Sequence, residues 1–188
     1  PQAKSTTREL TEGQFQCIID DSGANPEKVE ELLLCTGKVF YELDKRRDEL
    51  GRDDVAIIRI EQLYPLDIDS LREIVEGYPL VRSVRWVQEE PENSGAWRFM
   101  KHLLDEKLGM QLTYVGREEN ASPAVGSLLV SNREHGSILD EALGTPPTGE
   151  ANSDVEKKPA ASREKAANRS GGKRRRRASS KGPKKKAS

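Results

Sequence analysis

Cysteine is scarce in this chain. Cys17 and Cys35 are the only two in 188 residues, too few and too unlike any metal-ligand spacing for a disulfide framework or a zinc site. A reducing compartment is expected. Histidine is equally sparse, at His102 and His135, so acid/base or metal chemistry built on imidazole has almost nothing to draw on. No apolar run is long enough for a signal h-region or a bilayer span. No Gly-Asp-Gly triplet occurs, and no glycine-rich phosphate loop follows any apparent strand. There is no methionine before Pro1, and the chain reads as a piece of something larger.

The net charge of −1 hides a polarity. From Glu156 to Ser188 there are fourteen Lys and Arg against two Glu, a charge of +12, which leaves −13 on Pro1 to Val155. The basic stretch lacks Leu, Ile, Phe, Tyr and Trp altogether. Without apolar area to offset ordering entropy, residues 145–188 are expected to be a disordered, low-complexity tail, strongly basic from 156. Its field suits nucleic acid or an acidic surface, or shields the chain's own acidic body, but it has no aromatic side chain on which a base could stack. A merely solvated extension is the simpler reading.

What is present is alternation. Residues 1–13 are polar and read as a linker from a missing upstream domain, and Phe15 to Asp20 as a short edge strand. Leu32 to Cys35 and Val55 to Ile60 are apolar runs of strand length, with further strands expected over about Val81 to Gln88 and Gln111 to Gly116. Between them lie helical spacings: Val39, Phe40, Leu43 and Leu50; then Ile68, Leu71, Ile74, Val75 and Tyr78; then Trp97, Met100, Leu104 and Leu108. Gly51, Gly77 and Gly109 are the expected stops, and a last helix covers about Leu129 to Leu143. Strands alternating with helices predict a small doubly wound α/β domain over residues 14–144. Its sheet should be mostly parallel, of four to five strands, with helices on both faces.

The stretch WVQEEPENSGAW, Trp86 to Trp97, sets three carboxylates between two tryptophans at the carboxyl end of the third long strand, where α/β sheets bind ligands. Glu89, Glu90 and Glu92 could serve acid/base chemistry, which needs a contrasting environment and a third partner. The structural alternative is preferred: Pro91 ends strand pairing, Asn93 or Ser94 caps the next helix, and the carboxylates complement its positive end. His102 and His135 read as lone surface imidazoles, Cys35 as an inert buried thiol, and Lys38 as a weak candidate for a phosphate contact. Arg59, inside an apolar strand, must pair internally or across an interface.

DDVAIIRIEQLYPL, WVQEEPENSGAWRFM and YVGREENASPAVGS, in this order and spacing, resemble the carboxy-terminal domain of the E1 component of 2-oxoglutarate dehydrogenase, over about Leu10 to Gly144. The residues that carry the likeness are Glu61, Gln62, Tyr64, Pro65, Trp86, Gln88, Glu89, Glu90, Pro91, Asn93, Gly95, Ala96 and Trp97. The resemblance implies a transketolase-like C-terminal domain of an oxidoreductase of the tricarboxylic acid cycle. That parent enzyme uses thiamine diphosphate and Mg2+ to decarboxylate 2-oxoglutarate and passes the succinyl group to the lipoyl arm of the E2 dihydrolipoyl succinyltransferase. It implies a homodimer in the bacterial cytoplasm or mitochondrial matrix, and a nucleotide or acetyl-CoA effector near the domain junction. The Gly-Asp-Gly that holds the cofactor in such enzymes is missing here, so the cofactor is expected outside this chain and no catalytic, cofactor or metal residue is assigned on it. The chain also carries Ser127-Leu128-Leu129-Val130-Ser131 where relatives carry Ser-His-Lys-Val-His. The alternative is a free-standing, non-catalytic α/β interaction module with a basic arm.

Overall fold

The computed structural model describes residue 4 and residues 6–144. The tail expected beyond Gly144 lies outside them.

Its elements, in chain order, are α1 (Thr7–Glu12), β1 (Ile18–Ile19), β2 (Glu31–Cys35), α2 (Val39–Leu50), β3 (Val55–Ile60), α3 (Ile68–Glu76), β4 (Ser83–Pro91), α4 (Trp97–Leu108), β5 (Leu112–Arg117) and α5 (Leu128–Leu143). The segment expected as a linker therefore includes a six-residue helix. One five-stranded sheet runs in the order β1-β3-β2-β4-β5. β1 is an antiparallel edge strand, and the other pairings are all parallel. The doubly wound, mostly parallel sheet expected from the alternation is the observed one.

Strand periodicity sorts the core into two layers. Leu32, Leu34, Ala56, Ile58, Ile60 and Trp86 face Leu71 of α3 and Trp97, Met100 and Leu104 of α4. Their neighbours Leu33, Cys35, Val55, Ile57 and Val87 face Val39 and Leu43 of α2 and Ile138, Leu139, Ala142 and Leu143 of α5. Strands so covered on both faces read as continuous apolar runs, which is why β2 and β3 were conspicuous. Gly51 and Gly109 close α2 and α4 in the left-handed conformation that spares a Cβ clash.

Two polar ties position the edge strand. The Asp21 carboxylate accepts the Ile57 N–H at 2.9 Å and pairs with Arg47, while the Tyr78 hydroxyl donates to Asp20 at 2.7 Å. The Tyr64–Pro65 peptide bond, just past β3, is cis. Among the described residues no helix is long and apolar enough to cross a membrane.

The parallel strands reverse direction of growth at β2: the chain steps from β2 outward to β3, then returns past β2 to β4. The crevice at the carboxyl ends of β2 and β4 is the place where such a sheet offers a site. Trp86 to Trp97 opens into it.

Candidate functional site

The corner is organised by an amide. Alternation along β4 turns Trp86 and Gln88 to the same apolar layer, and Gln88 is 2% exposed. A carboxamide so buried must find partners for all its polar atoms. Its Oε1 accepts from Trp86 Nε1 at 2.8 Å and from the Trp97 backbone N–H at 3.0 Å. Its Nε2 donates to the Ser94 carbonyl at 2.9 Å and to those of Glu90 and Pro91 at 3.2 Å each. Both tryptophans, the turn and the first turn of α4 thus converge on one side chain. Gly95 is required beneath it: its φ is +66°, and a Cβ there would lie 2.9 Å from the Gln88 carboxamide.

One expectation for this corner is corrected. α4 has Ala96 at its N-cap with no side-chain cap. Its first free N–H is taken by Gln88 from across the turn, so neither Asn93 nor Ser94 caps it. Asn93 instead exchanges two 3.1 Å hydrogen bonds with the backbone of Asn120, and Ser94 contributes its carbonyl to Gln88. Pro91 does end the strand, as expected. It is the last residue of β4, opposite Arg117 beyond a register shift that follows Val87. Proline removes only its own N–H; the Pro91 carbonyl accepts from Ser94, and the next N–H, of Glu92, donates to Arg117 at 2.9 Å.

The three carboxylates go separate ways. Glu89 points to the opposite layer, where its carboxylate meets Lys38 Nζ at 2.5 Å and His135 Nδ1 at 3.5 Å. Glu90 is exposed, and its carbonyl accepts the Tyr114 hydroxyl at 2.9 Å. Glu92 serves the corner through its backbone. Three carboxylates in three environments do not form a paired acid and base.

His135 corrects the reading of a lone surface imidazole. Its side chain is 22% exposed and bridges Glu42 of α2, through Nε2, to Glu89 of β4. The signal was available in α5: positions 135, 138, 139 and 142 share one helical face, and Ile138, Leu139 and Ala142 are core residues. Beside it Arg117 pairs with Glu134 at 2.6 Å, and a small cleft of about 180 Å³ opens between these side chains and the loop at Pro123 to Val125. Lys38, weighed as a phosphate contact, is held by Glu89, and that hydrogen bond is the main reason its pKa is raised. Salt bridges thus tie Lys38 and Arg117 to carboxylates here, and the His135 imidazole lies between those of Glu42 and Glu89. His102 stands apart on α4, 80% exposed and 3.5 Å from Glu106.

Arg59 resolves to internal pairing. Its guanidinium meets Glu61 at 2.7 Å, donates to the Tyr41 hydroxyl at 3.2 Å and lies 4.6 Å from the Phe40 ring centre. Gln62 links β1 to the turn, accepting from the Cys17 thiol and donating to the Pro65 carbonyl at 2.8 Å. At the amino edge of the sheet is a clamp that sequence reasoning missed. Buried Glu31 binds Arg85 at 2.5 Å and Arg52 at 3.4 Å, and those arginines donate to the Glu141 and Leu143 carbonyls at the end of α5. Cations at a helix carboxyl terminus complement its dipole.

Burial pushes the Cys35 thiol up from 9.0 to about 12, and burial is likewise the first cause that raises Tyr114 from 10.0 to about 12. For both groups the protonated form is the one the fold prefers. Their stabilisation is therefore complete below the unfolded values of 9.0 and 10.0 and disappears as pH climbs toward about 12. Thermal melts should fall progressively above pH 9, and Cys35→Ala should flatten the early part of that decline. At pH 8 a bulky disulfide reagent should modify half-buried Cys17 and leave Cys35 intact; two thiols reacting at equal rates in the folded protein would contradict this.

A diphosphate or its Mg2+ finds no seat among these residues. Lys38, Arg59 and Arg117 would each have to leave a carboxylate to meet a phosphate, and no cluster of three metal-ligating side chains is found among the described residues.

Comparison with known proteins identifies the family. The family of the 2-oxoglutarate dehydrogenase C-terminal matches residues 4–143. The chain belongs to that family. The 2-oxoglutarate dehydrogenase E1 component of Cupriavidus necator is 38% identical over 144 residues, covering 75% of this chain and 15% of its own length. The human 2-oxoadipate dehydrogenase complex component E1 is 42% identical over 142 residues, covering 74% and 16% respectively. Among solved structures, a split-gene transketolase, an inactive beta4 tetramer, has a TM-score of 0.47 at 15% identity, covering 64% of this chain and 41% of its own. The chain thus spans about a sixth of the curated E1 proteins it matches. In this 2-oxoglutarate dehydrogenase C-terminal domain the residues that carry the resemblance sit together at the carboxyl rim of the sheet: Glu61, Gln62, Tyr64 and Pro65 after β3, and Trp86 to Trp97 at the end of β4.

Proposed function

We propose that this chain is the C-terminal part of a thiamine-diphosphate-dependent 2-oxo acid dehydrogenase E1, in which it is a supporting and interface domain rather than the seat of catalysis. The parent decarboxylates 2-oxoglutarate and passes the succinyl group to the lipoyl arm of E2. Thiamine diphosphate and Mg2+ are held on polypeptide outside this chain, within a homodimer of the bacterial cytoplasm or mitochondrial matrix. Residues 1–13 lead in from the upstream domains, 14–144 form the domain, and 145–188 are a basic extension that neutralises the acidic body or meets an anionic partner. Retention on heparin across a salt gradient, with and without Glu156 to Ser188, separates these roles for the extension.

The observation that carries this reading is the corner itself: its amide is fully engaged in holding two tryptophans and its carboxylates diverge. Family membership supplies the parent's chemistry. The 42% identity to the human 2-oxoadipate enzyme favours a second substrate reading, 2-oxoadipate, one methylene longer. Nucleotide or acetyl-CoA control at the domain junction must work without basic groups at positions 127–131, where Leu128 and Leu129 face solvent.

A chimera tests this directly. Residues 4–143 replace the matching segment of the Cupriavidus necator E1, and decarboxylation of both oxo acids is followed with an artificial electron acceptor. A folded dimer should retain decarboxylation within roughly tenfold of the intact enzyme, because each tenfold corresponds to only about 1.4 kcal/mol of barrier. A folded chimera with no decarboxylation of either acid contradicts the assignment. The isolated chain should be inert.

A further inference from the structure

The carboxyl rim carries an aromatic step that nothing in the described chain covers. Tyr64, in the turn after β3, is 82% exposed, and Phe99, in the first turn of α4, is 39% exposed. Their rings meet edge to face at 6.4 Å. Beside them lies an open cleft of about 330 Å³, lined among others by Thr36, Leu63, Gly95, Ala96 and Phe99, with Gln88 as its floor. Leu128, Leu129 and Val130, which begin α5 after β5, are exposed at the same end of the sheet. At the opposite end, between α3 and β4, the exposed large hydrophobic is Leu80. Apolar surface gathered on one rim, with a rigid cleft built on a locked amide, marks an interaction surface rather than random exposure.

We infer that the Tyr64–Phe99 step is the face that docks on the remaining body of the E1 polypeptide, with the cleft receiving an apolar side chain from it. This rests on the E1 assignment proposed above. Two observations select that occupant. The relatives carry about five-sixths of their length outside the segment this chain matches, so a much larger body is available to cover the rim. A second copy fits poorly, since Glu90 lines the cleft and a two-fold contact through it would bury two like charges against each other in a body already at −13. The partner surface is accordingly apolar at its centre, with basic side chains positioned to meet Glu90.

Hydroxyl-radical footprinting compares the isolated 188-residue chain with the chimeric E1 described above. In the isolated chain Tyr64 and Phe99 should label freely, and in the chimera their labelling should drop to the level of buried Trp86. Tyr64→Ser should leave the melting temperature of the isolated chain nearly unchanged, because that ring is 82% exposed, and should lower that of the chimera. Undiminished labelling in a folded, decarboxylating chimera overturns the docking face while leaving the E1 assignment standing. A folded chimera without decarboxylation overturns both. Concentration-dependent protection of Tyr64 in the isolated chain, with dimers in sedimentation, assigns the face to a second copy and also overturns the proposal.

Discussion

Replacing Gln88 with alanine lowers the unfolding free energy by about 3–5 kcal/mol, against a total of about 5–15 kcal/mol for a domain of this size. The magnitude follows from what is left behind. Trp86 Nε1–H and the Trp97 N–H lose their shared acceptor, and the Ser94 carbonyl loses a donor, all in a pocket where Gln88 is 2% exposed. Each unsatisfied buried group costs about 1–3 kcal/mol, and the two donors suffer most because water has little access to them. In a thermal melt the shift is roughly 10–15 °C. Glu90→Gln, two residues away but exposed, should move stability by less than about 0.5 kcal/mol. Because removing a large buried side chain also leaves a void, a double-mutant cycle with Trp86→Phe isolates the hydrogen bond: its coupling should be about 1–2 kcal/mol. No coupling would mean that Gln88 matters only by its volume.

Glu31→Ala should cost about 3 kcal/mol. Removing one member of a buried ion pair typically costs about 3–5 kcal/mol. The lower end applies because Arg52 and Arg85 are each 29% exposed and can turn their charge partly to water once Glu31 is gone. The effect should be local as well as global. Both arginines also hold the last carbonyls of α5, so hydrogen exchange should quicken over the final turn of α5 before it does in β2 or β3. A loss below about 1 kcal/mol with α5 unchanged would show that the clamp is a surface network of the ordinary weak kind.

These two residues mark the limit of what the sequence discloses. β2 and β3 were legible because they are buried on both faces, and α4 because Trp97, Met100 and Leu104 keep a strict helical stripe that the structure buries together. The rim could be placed for the same reason: once strands and helices alternate, the carboxyl ends are determined by topology. Gln88 could not be singled out among the glutamates around it, since its importance arises from a backbone N–H nine positions away that only the turn brings within reach. Ion pairs such as Arg46 with Asp140 join residues 94 positions apart and leave no local trace. His135 is different, because its place on the buried face of α5 was readable and was overlooked. The cap of α3 was readable too: Asp67 accepts from Ser70 at 3.1 Å, the ordinary pattern of a carboxylate three residues before the amide it serves.

The most direct test concerns Glu89, Glu90 and Glu92, each changed to glutamine in the chimeric E1, with single-turnover decarboxylation measured in every variant that folds. If they shape a corner and touch no reacting atom, the rate constant stays within about twofold of the parent. A general acid or base contributes about 10²- to 10⁴-fold, so a loss of a hundredfold or more in a properly folded variant would place catalysis on this chain and contradict the supporting role assigned to it.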